Sequence, residues 1–132
     1  MKKVYIAHPI TNGNLNLPSV DILIQWLSKN GYKITRPNYG LFPDILAERA
    51  LENIKNSTLI IADISDYSHG VGFELGYAHA HGKRIIVIAK DVVKQNISKF
   101  ILGMFPDTIF YRNTEDLLAS LSIRVSNTSS IK

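Results

Sequence analysis

The sequence predicts a single α/β domain in which a five-stranded parallel sheet lies between two layers of helices. Three observations carry that expectation. Short apolar runs alternate with longer amphipathic segments along the whole chain. Two of the runs, Leu59-Ile60-Ile61-Ala62 and Ile85-Ile86-Val87-Ile88, are apolar without alternation, which is the pattern of strands covered on both faces. The chain has 132 residues, 45% hydrophobic and 20% charged, enough for one core, and neither a repeat nor a linker divides it. The expected domain spans residues 1–125, and residues 126–132 read as a polar tail.

Taken in order, Lys3–Ala7 reads as the first strand. Residues 19–30 read as a helix, with Val20, Leu23, Ile24 and Leu27 at helical spacing and Gly31 as the stop. Tyr32–Arg36 is the second strand. Pro43–Asn56 is a helix with Leu46, Ala50 and Ile54 on one face. Thr58–Ala62 is the third strand, Gly72–His81 a helix ended by Gly82, and Arg84–Ala89 the fourth strand. Ser98–Gly103 reads as a short helix and Thr108–Tyr111 as the fifth strand. Asn113–Ser122 closes the domain as a helix, with Asn113 at the N-cap and Asp116 three residues on.

Composition removes several classes of function. There is no cysteine, which excludes a disulfide framework, thiolate metal sites and a thiol nucleophile. His79 and His81 are two apart on a helix and diverge, so no metal site is expected. No apolar run reaches the ~18 residues that span a bilayer, and Val4-Tyr5-Ile6-Ala7 is too short for a signal peptide, so the expected compartment is the cytoplasm. The net charge is +4. Lys83, Arg84, Lys90, Lys94 and Lys99 form a basic stretch, read as a solvated face or as an attraction for a small anion. Aromatic residues do not interleave with it, so nucleic acid is not an expected partner, and without a long apolar run neither is a membrane.

In a parallel α/β sheet the ligand sits at the carboxyl ends of the strands, which directs attention to the loops over residues 8–12, 63–70 and 90–97. The densest segment is Asp63-Ile-Ser-Asp-Tyr-Ser-His-Gly-Val-Gly-Phe-Glu-Leu-Gly-Tyr-Ala. It leaves a buried strand and opens a helix, and Gly70 and Gly72 allow a ligand close to the backbone N–H groups at the helix start. Glu74 is expected in the first helical turn, where the helix dipole favours its ionised form. An ionised, fixed carboxylate at a ligand mouth suits attack on a sugar C1. A glutamate there also simply stabilises a helix.

Gly70-Val71-Gly72-Phe73-Glu74-Leu75-Gly76, with Ser68 before it and Lys83-Arg84-Ile85 after, resembles the nucleoside 2-deoxyribosyltransferase family. Val4-Tyr5-Ile6-Ala7-His8-Pro9-Ile10-Thr11 is similar to the first strand and loop of that family. The resemblance covers about residues 3 to 103, and its nearest branch is the 2′-deoxynucleoside 5′-monophosphate N-glycosidases. It implies a single-domain Rossmann-like, flavodoxin-like three-layer sandwich and supplies the strand order, which the sequence pattern does not. It also implies a cofactor-free enzyme acting on a nucleoside or nucleotide and assembled as a homodimer or higher homo-oligomer.

By the same resemblance Glu74 is the nucleophile that forms a glycosyl-enzyme ester, which water or a second base then resolves. Tyr5 holds it, Ser68 and Gly70 contact a 5′-phosphate, and Ser98 reaches that phosphate from a neighbouring subunit. Structural roles compete: Tyr5 as a packed strand residue, Ser98 as a helix cap.

Two departures stand out. The family aspartate that assists the leaving base falls at Ala50, and Asp63 or Asp66 is the expected replacement, with loop capping as the competing role. The first loop here is His8-Pro9-Ile10-Thr11-Asn12, without the family's arginine. His8, Ile10, Thr11 and Asn12 are the expected substrate contacts, with His8 binding phosphate when protonated or touching a base. Hydrolysis is favoured over base transfer because of Ser68 and Ser98. The alternatives are a nucleotide-binding module with impaired catalysis, motivated by Ala50 and the altered loop, and a ribosyl phosphohydrolase on a related fold.

Overall fold

Apolar runs that do not alternate have to be covered twice, and the computed structural model of the chain covers them. It describes residues 2–9 and 18–131, with side chains for 2–9 and 19–126. The elements are β1 (Lys2–Ala7), α1 (Pro18–Lys29), β2 (Tyr32–Thr35), α2 (Pro43–Lys55), β3 (Leu59–Asp63), α3 (His69–Ala80), β4 (Arg84–Lys90), α4 (Lys99–Met104), β5 (Ile109–Tyr111) and α5 (Thr114–Ile131). All strands run parallel in the order β2-β1-β3-β4-β5. That is the flavodoxin-like order, with its switch point between β1 and β3.

Side-chain alternation sorts the core into two halves. Val4, Ile6, Leu59, Ile61, Ile86 and Ile88 pack on one face against Val20, Leu23 and Leu27 of α1 and Leu117, Leu121 and Val125 of α5. Tyr5, Ala7, Ile60, Ala62 and Val87 pack on the other against Ala50 and Ile54 of α2 and Val71, Leu75 and Ala78 of α3, with Ile101 and Phe105 at the margin. The edge strand β2 is only half-buried.

Three differences from the sequence reading exceed a residue at an element end, each for a local reason. Helix α3 begins at His69 rather than Gly72, because the Ser68 Oγ accepts from the Val71 N–H at 3.2 Å and starts the helix three residues earlier. Helix α5 runs to Ile131 instead of stopping at Ser122. No glycine or proline interrupts it, and its buried stripe of Leu117 and Leu121 continues to Val125. Asp91–Asn96 forms a 3₁₀ turn where a loop was expected. The Asn113 cap is present: its Oδ1 accepts from the Asp116 N–H at 2.8 Å, and the Asp116 carboxylate accepts from the Arg112 N–H.

The basic stretch does not converge on one ligand patch. The Lys83 ammonium donates to the Lys55 and Ser57 carbonyls at the end of α2, and Lys94 lies over the Phe110 ring at 4.9 Å.

Gly31 and Gly82 end α1 and α3 at φ 87° and 66°, with open space where a Cβ would stand. The cost of a side chain there is therefore backbone strain alone. Gly31→Ala and Gly82→Ala are each expected to cost ~1–2 kcal/mol, measured as a lower denaturant midpoint at unchanged slope.

Candidate active site

Tyr5 stands in the middle of β1 on the face covered by α2 and α3, and Glu74 projects from α3 toward it. Both are buried, and the Tyr5 hydroxyl donates a hydrogen bond to the Glu74 Oε2. The early start of α3 puts Glu74 in the second turn of the helix, not the first. Burial therefore dominates its electrostatics. Desolvation pushes the Glu74 carboxyl above the ordinary glutamate value, and the Tyr5 hydrogen bond pulls it back. Burial, reinforced by the Glu74 charge, drives the Tyr5 phenol far upward, so it remains a donor.

Glu74 opens on a cavity of about 200 Å³ between α2 and α3, lined by Pro37, Tyr39, Leu46, Ala50, Gly70 and Phe73 among others. The cavity is apolar apart from Glu74 and the Tyr39 phenol, which suits the flat face of an aromatic ring. Ala50 lines it, so the substitution of the expected aspartate falls on the wall of this cavity.

Asp63 is not brought to Glu74. It continues the alternation of Leu59 and Ile61 and so points to the α1/α5 side of the sheet. There its Oδ1 accepts from the Ser65 N–H at 2.8 Å and its Oδ2 from the Tyr111 hydroxyl at 3.1 Å. Ser65 in turn accepts from the Lys90 N–H, and the cluster braces the ends of β3, β4 and β5. Burial and the Asp63 charge raise the Tyr111 phenol to about 12.

Asp66 is exposed. Together with Tyr67, Ser68, Asn96, Ser98 and other residues it lines a second cavity of about 300 Å³ on the opposite flank of α3 from Glu74. Ser68 and Ser98 thus face one space within a single chain, each also capping a helix, with the Ser98 Oγ accepting from the Ile101 N–H at 3.3 Å. Gly70 belongs to the Glu74 cavity, so the first turn of α3 separates the expected phosphate contacts.

His8 is fully buried. Its Nδ1 donates to the Pro9 carbonyl at 3.3 Å, and its Nε2 accepts from the Arg36 Nε at 3.2 Å. Burial is the largest cause that lowers its pKa, and Arg36 adds to it against the opposing pull of the Pro9 carbonyl, Asp63 and Asp21. The ring is therefore neutral with both nitrogens engaged. A protonated His8 binding phosphate directly does not fit this arrangement. Ile10, Thr11 and Asn12 lie outside the described residues.

Sequence reasoning missed Tyr39 and Arg36, which follow β2. Tyr39 donates to the His8 carbonyl at 3.2 Å, and its phenol is raised by burial and by the Glu74 charge, with Arg36 opposing. The rule that sites gather at strand carboxyl ends applies to β2 as well as to β1, β3 and β4, and would have found them. Among the described residues no group of histidine, aspartate or glutamate could hold a metal ion, and no helix is long and apolar enough to cross a membrane.

No family model matches the chain. A protein of Thermofilum pendens assigned as 2′-deoxynucleoside 5′-phosphate N-hydrolase 1 is 29% identical in an alignment 111 positions long that covers 77% of this chain and 78% of that one. Among solved structures, the CMP N-glycosidase BcmB of Clostridium botulinum superposes with a TM-score of 0.74 at 25% identity, covering 92% of this chain and 99% of that one. A 2-deoxyribosyltransferase of Leishmania mexicana gives 0.66 at 22% identity over 91% and 96%. One from Bacillus psychrosaccharolyticus gives 0.64 at 22% over 87% and 89%. The two transferases show the shared fold.

The opposing influences on Glu74 make its titration a test of the site. Tyr5→Phe removes the interaction that favours the carboxylate and leaves desolvation unopposed. The Glu74 carboxyl is expected to titrate at higher pH in that variant, read by NMR of carboxyl-labelled protein against pH. An unmoved or lowered midpoint would show that Tyr5 does not hold the charge.

Proposed function

We propose that this chain is a member of the nucleoside 2-deoxyribosyltransferase family and cleaves the N-glycosidic bond of a (deoxy)nucleoside or its 5′-monophosphate with Glu74 as nucleophile. The observation that carries this reading is the Tyr5–Glu74 hydrogen bond at the mouth of an apolar cavity. A carboxylate stripped of water and held by one donor is oriented and strongly nucleophilic once ionised.

In this reading the base enters the cavity between α2 and α3, and C1′ of the sugar stands at Glu74. A Glu74 oxygen forms a bond to C1′, and the C1′–N bond breaks with its electron pair leaving on the base. Water then adds to C1′ of the ester, its proton passes to solvent or the departed base, and the Glu74 carboxylate is restored. An acceptor base in place of water gives transfer. The Thermofilum relative and the Clostridium structure, both named for N-glycosidic cleavage of nucleotides, support hydrolysis. With Ala50 on the cavity wall and Asp63 turned to the other face, Tyr39 carries the side-chain O–H among the residues that line the cavity. A binding module without turnover is the second reading, favoured by Ala50. Base, sugar and acceptor are resolved by incubating the protein with nucleosides and 5′-monophosphates and separating the products: free sugar means hydrolysis, exchange with an added base means transfer, and binding alone means a module.

The protein acts as a homodimer in this proposal. Phe100 of α4 is 76% exposed, with Met104 beside it on the same short helix. Exposed apolar side chains of this kind mark a contact, and a two-fold pair through α4 would set the Ser98 end of that helix, and the cavity it lines, beside the partner. Light scattering at micromolar concentration is expected to give a dimer for the wild type and a monomer for Phe100→Glu. A monomeric wild type with full activity would refute the shared site.

Glu74→Gln keeps shape and the Tyr5 hydrogen bond but removes the charge. Turnover is expected to fall at least ~10²-fold. Stability is expected to move the opposite way. A carboxyl whose pKa folding raises costs stability above that pKa, and the cost fades as pH falls through it. At neutral pH the glutamine variant should therefore melt higher than the wild type, and the difference should shrink toward acid pH.

A further inference from the structure

At the carboxyl ends of β1 and β2 a half-buried guanidinium is held without a counter-charge. Arg36 donates from Nε to the neutral His8, 28 residues earlier in the chain. Among the described residues the ion pairs are Arg112–Asp116 and Arg124–Asp107, and Arg36 takes part in neither. A fixed, partly desolvated cation that lacks a carboxylate is suited to an anionic ligand. His8 cannot supply the charge, because its Nδ1–H is bound to the Pro9 carbonyl and its Nε2 lone pair faces the guanidinium.

Tyr39 links the His8–Arg36 pair to the Glu74 cavity. This ring lines the Glu74 cavity, hydrogen-bonds the His8 carbonyl and stands edge-on to the His8 ring at 6.3 Å between centroids. It feels the charges of both Glu74 and Arg36. A second polar group nearby is left unsatisfied. The hydroxyl of Thr35, opposite Tyr5 in the β1–β2 register, is buried and has no hydrogen-bond partner among the described residues.

We propose that Arg36, docked on His8, is a specificity-determining residue of the Glu74 site and holds the 5′-phosphate of a nucleoside monophosphate. The inference rests on the N-glycosidase reading for its substrate. With the base in the apolar cavity and C1′ at Glu74, the phosphate is the one anionic group such a substrate has left to present. His8 serves as the positioning residue for Arg36.

The test compares wild type, Arg36→Gln and Arg36→Lys on a 2′-deoxynucleoside 5′-monophosphate and on the parent nucleoside. Circular dichroism confirms the fold of each variant. For Arg36→Gln, kcat/KM is expected to fall at least ~30-fold more on the monophosphate than on the nucleoside, mainly through KM. Arg36→Lys, which keeps charge but loses the Nε donor to His8, should fall between. Equal losses on both substrates, or none, would overturn the proposal. If the wild type turns over neither substrate, the glycosidase reading fails, and Arg36 is judged by calorimetry with the same monophosphate. Binding to wild type that is lost in Arg36→Gln supports the anion role, whereas equal binding, or no binding to wild type, overturns it.

Discussion

A carboxylate kept out of water needs a partner, and the site is built around giving Glu74 one. The Tyr5 hydroxyl meets it only because two periodicities agree. The alternation of β1 sends Val4 and Ile6 to one side of the sheet and Tyr5 to the other, and the phase of α3 turns Glu74 back toward β1 while Val71, Leu75 and Ala78 fill the core. A slip of one residue in β1 would turn Tyr5 to the wrong face and expose its apolar neighbours. Core packing and site geometry thus enforce the same register, so the buried charge is maintained by interactions that exist for stability.

The phase of α3 depends on where the helix starts, and the Ser68 cap sets that start. Capping at Ser68 directs Gly70, Phe73 and Glu74 to the cavity beside α2 and leaves Ser68, Val71, Gly72 and Leu75 along the second cavity beside α4. One helix therefore divides the strand-end surface into an apolar slot that holds a carboxylate and a recess that carries the Ser68 and Ser98 hydroxyls. The same early start removes Glu74 from the first-turn dipole, so desolvation and a single hydrogen bond control its charge.

Around this centre the ends of the strands are tied by polar contacts of long sequence separation. Asp63 joins the loop after β3 to Tyr111 of β5, and Ser65 joins it to Lys90 of β4. His8, Arg36 and Tyr39 join the ends of β1 and β2. Buried polar groups that satisfy one another in this way cost little and fix the loops on which a ligand would rest.

The two-sided burial of β3 and β4, the glycine stops after α1 and α3 and the Asn113 cap were legible in the residues, because each depends on local periodicity or on a conformation that few side chains tolerate. The pair Tyr5 and Glu74 was legible only by resemblance, since nothing local in either segment requires the other. Tertiary structure alone decided which face each acid occupies. Asp63 and Glu74 are both acids near strand or helix ends, yet alternation sends Asp63 to Tyr111 and helix phase sends Glu74 to Tyr5. It also decided that His8 is a buried neutral support rather than an exposed cation, and that Arg36 stands beside it. The physical reason is common to these cases. Periodicity within an element is written in neighbouring residues, whereas desolvation and pairing between elements are set by chain separated by tens of residues and joined only when the sheet closes.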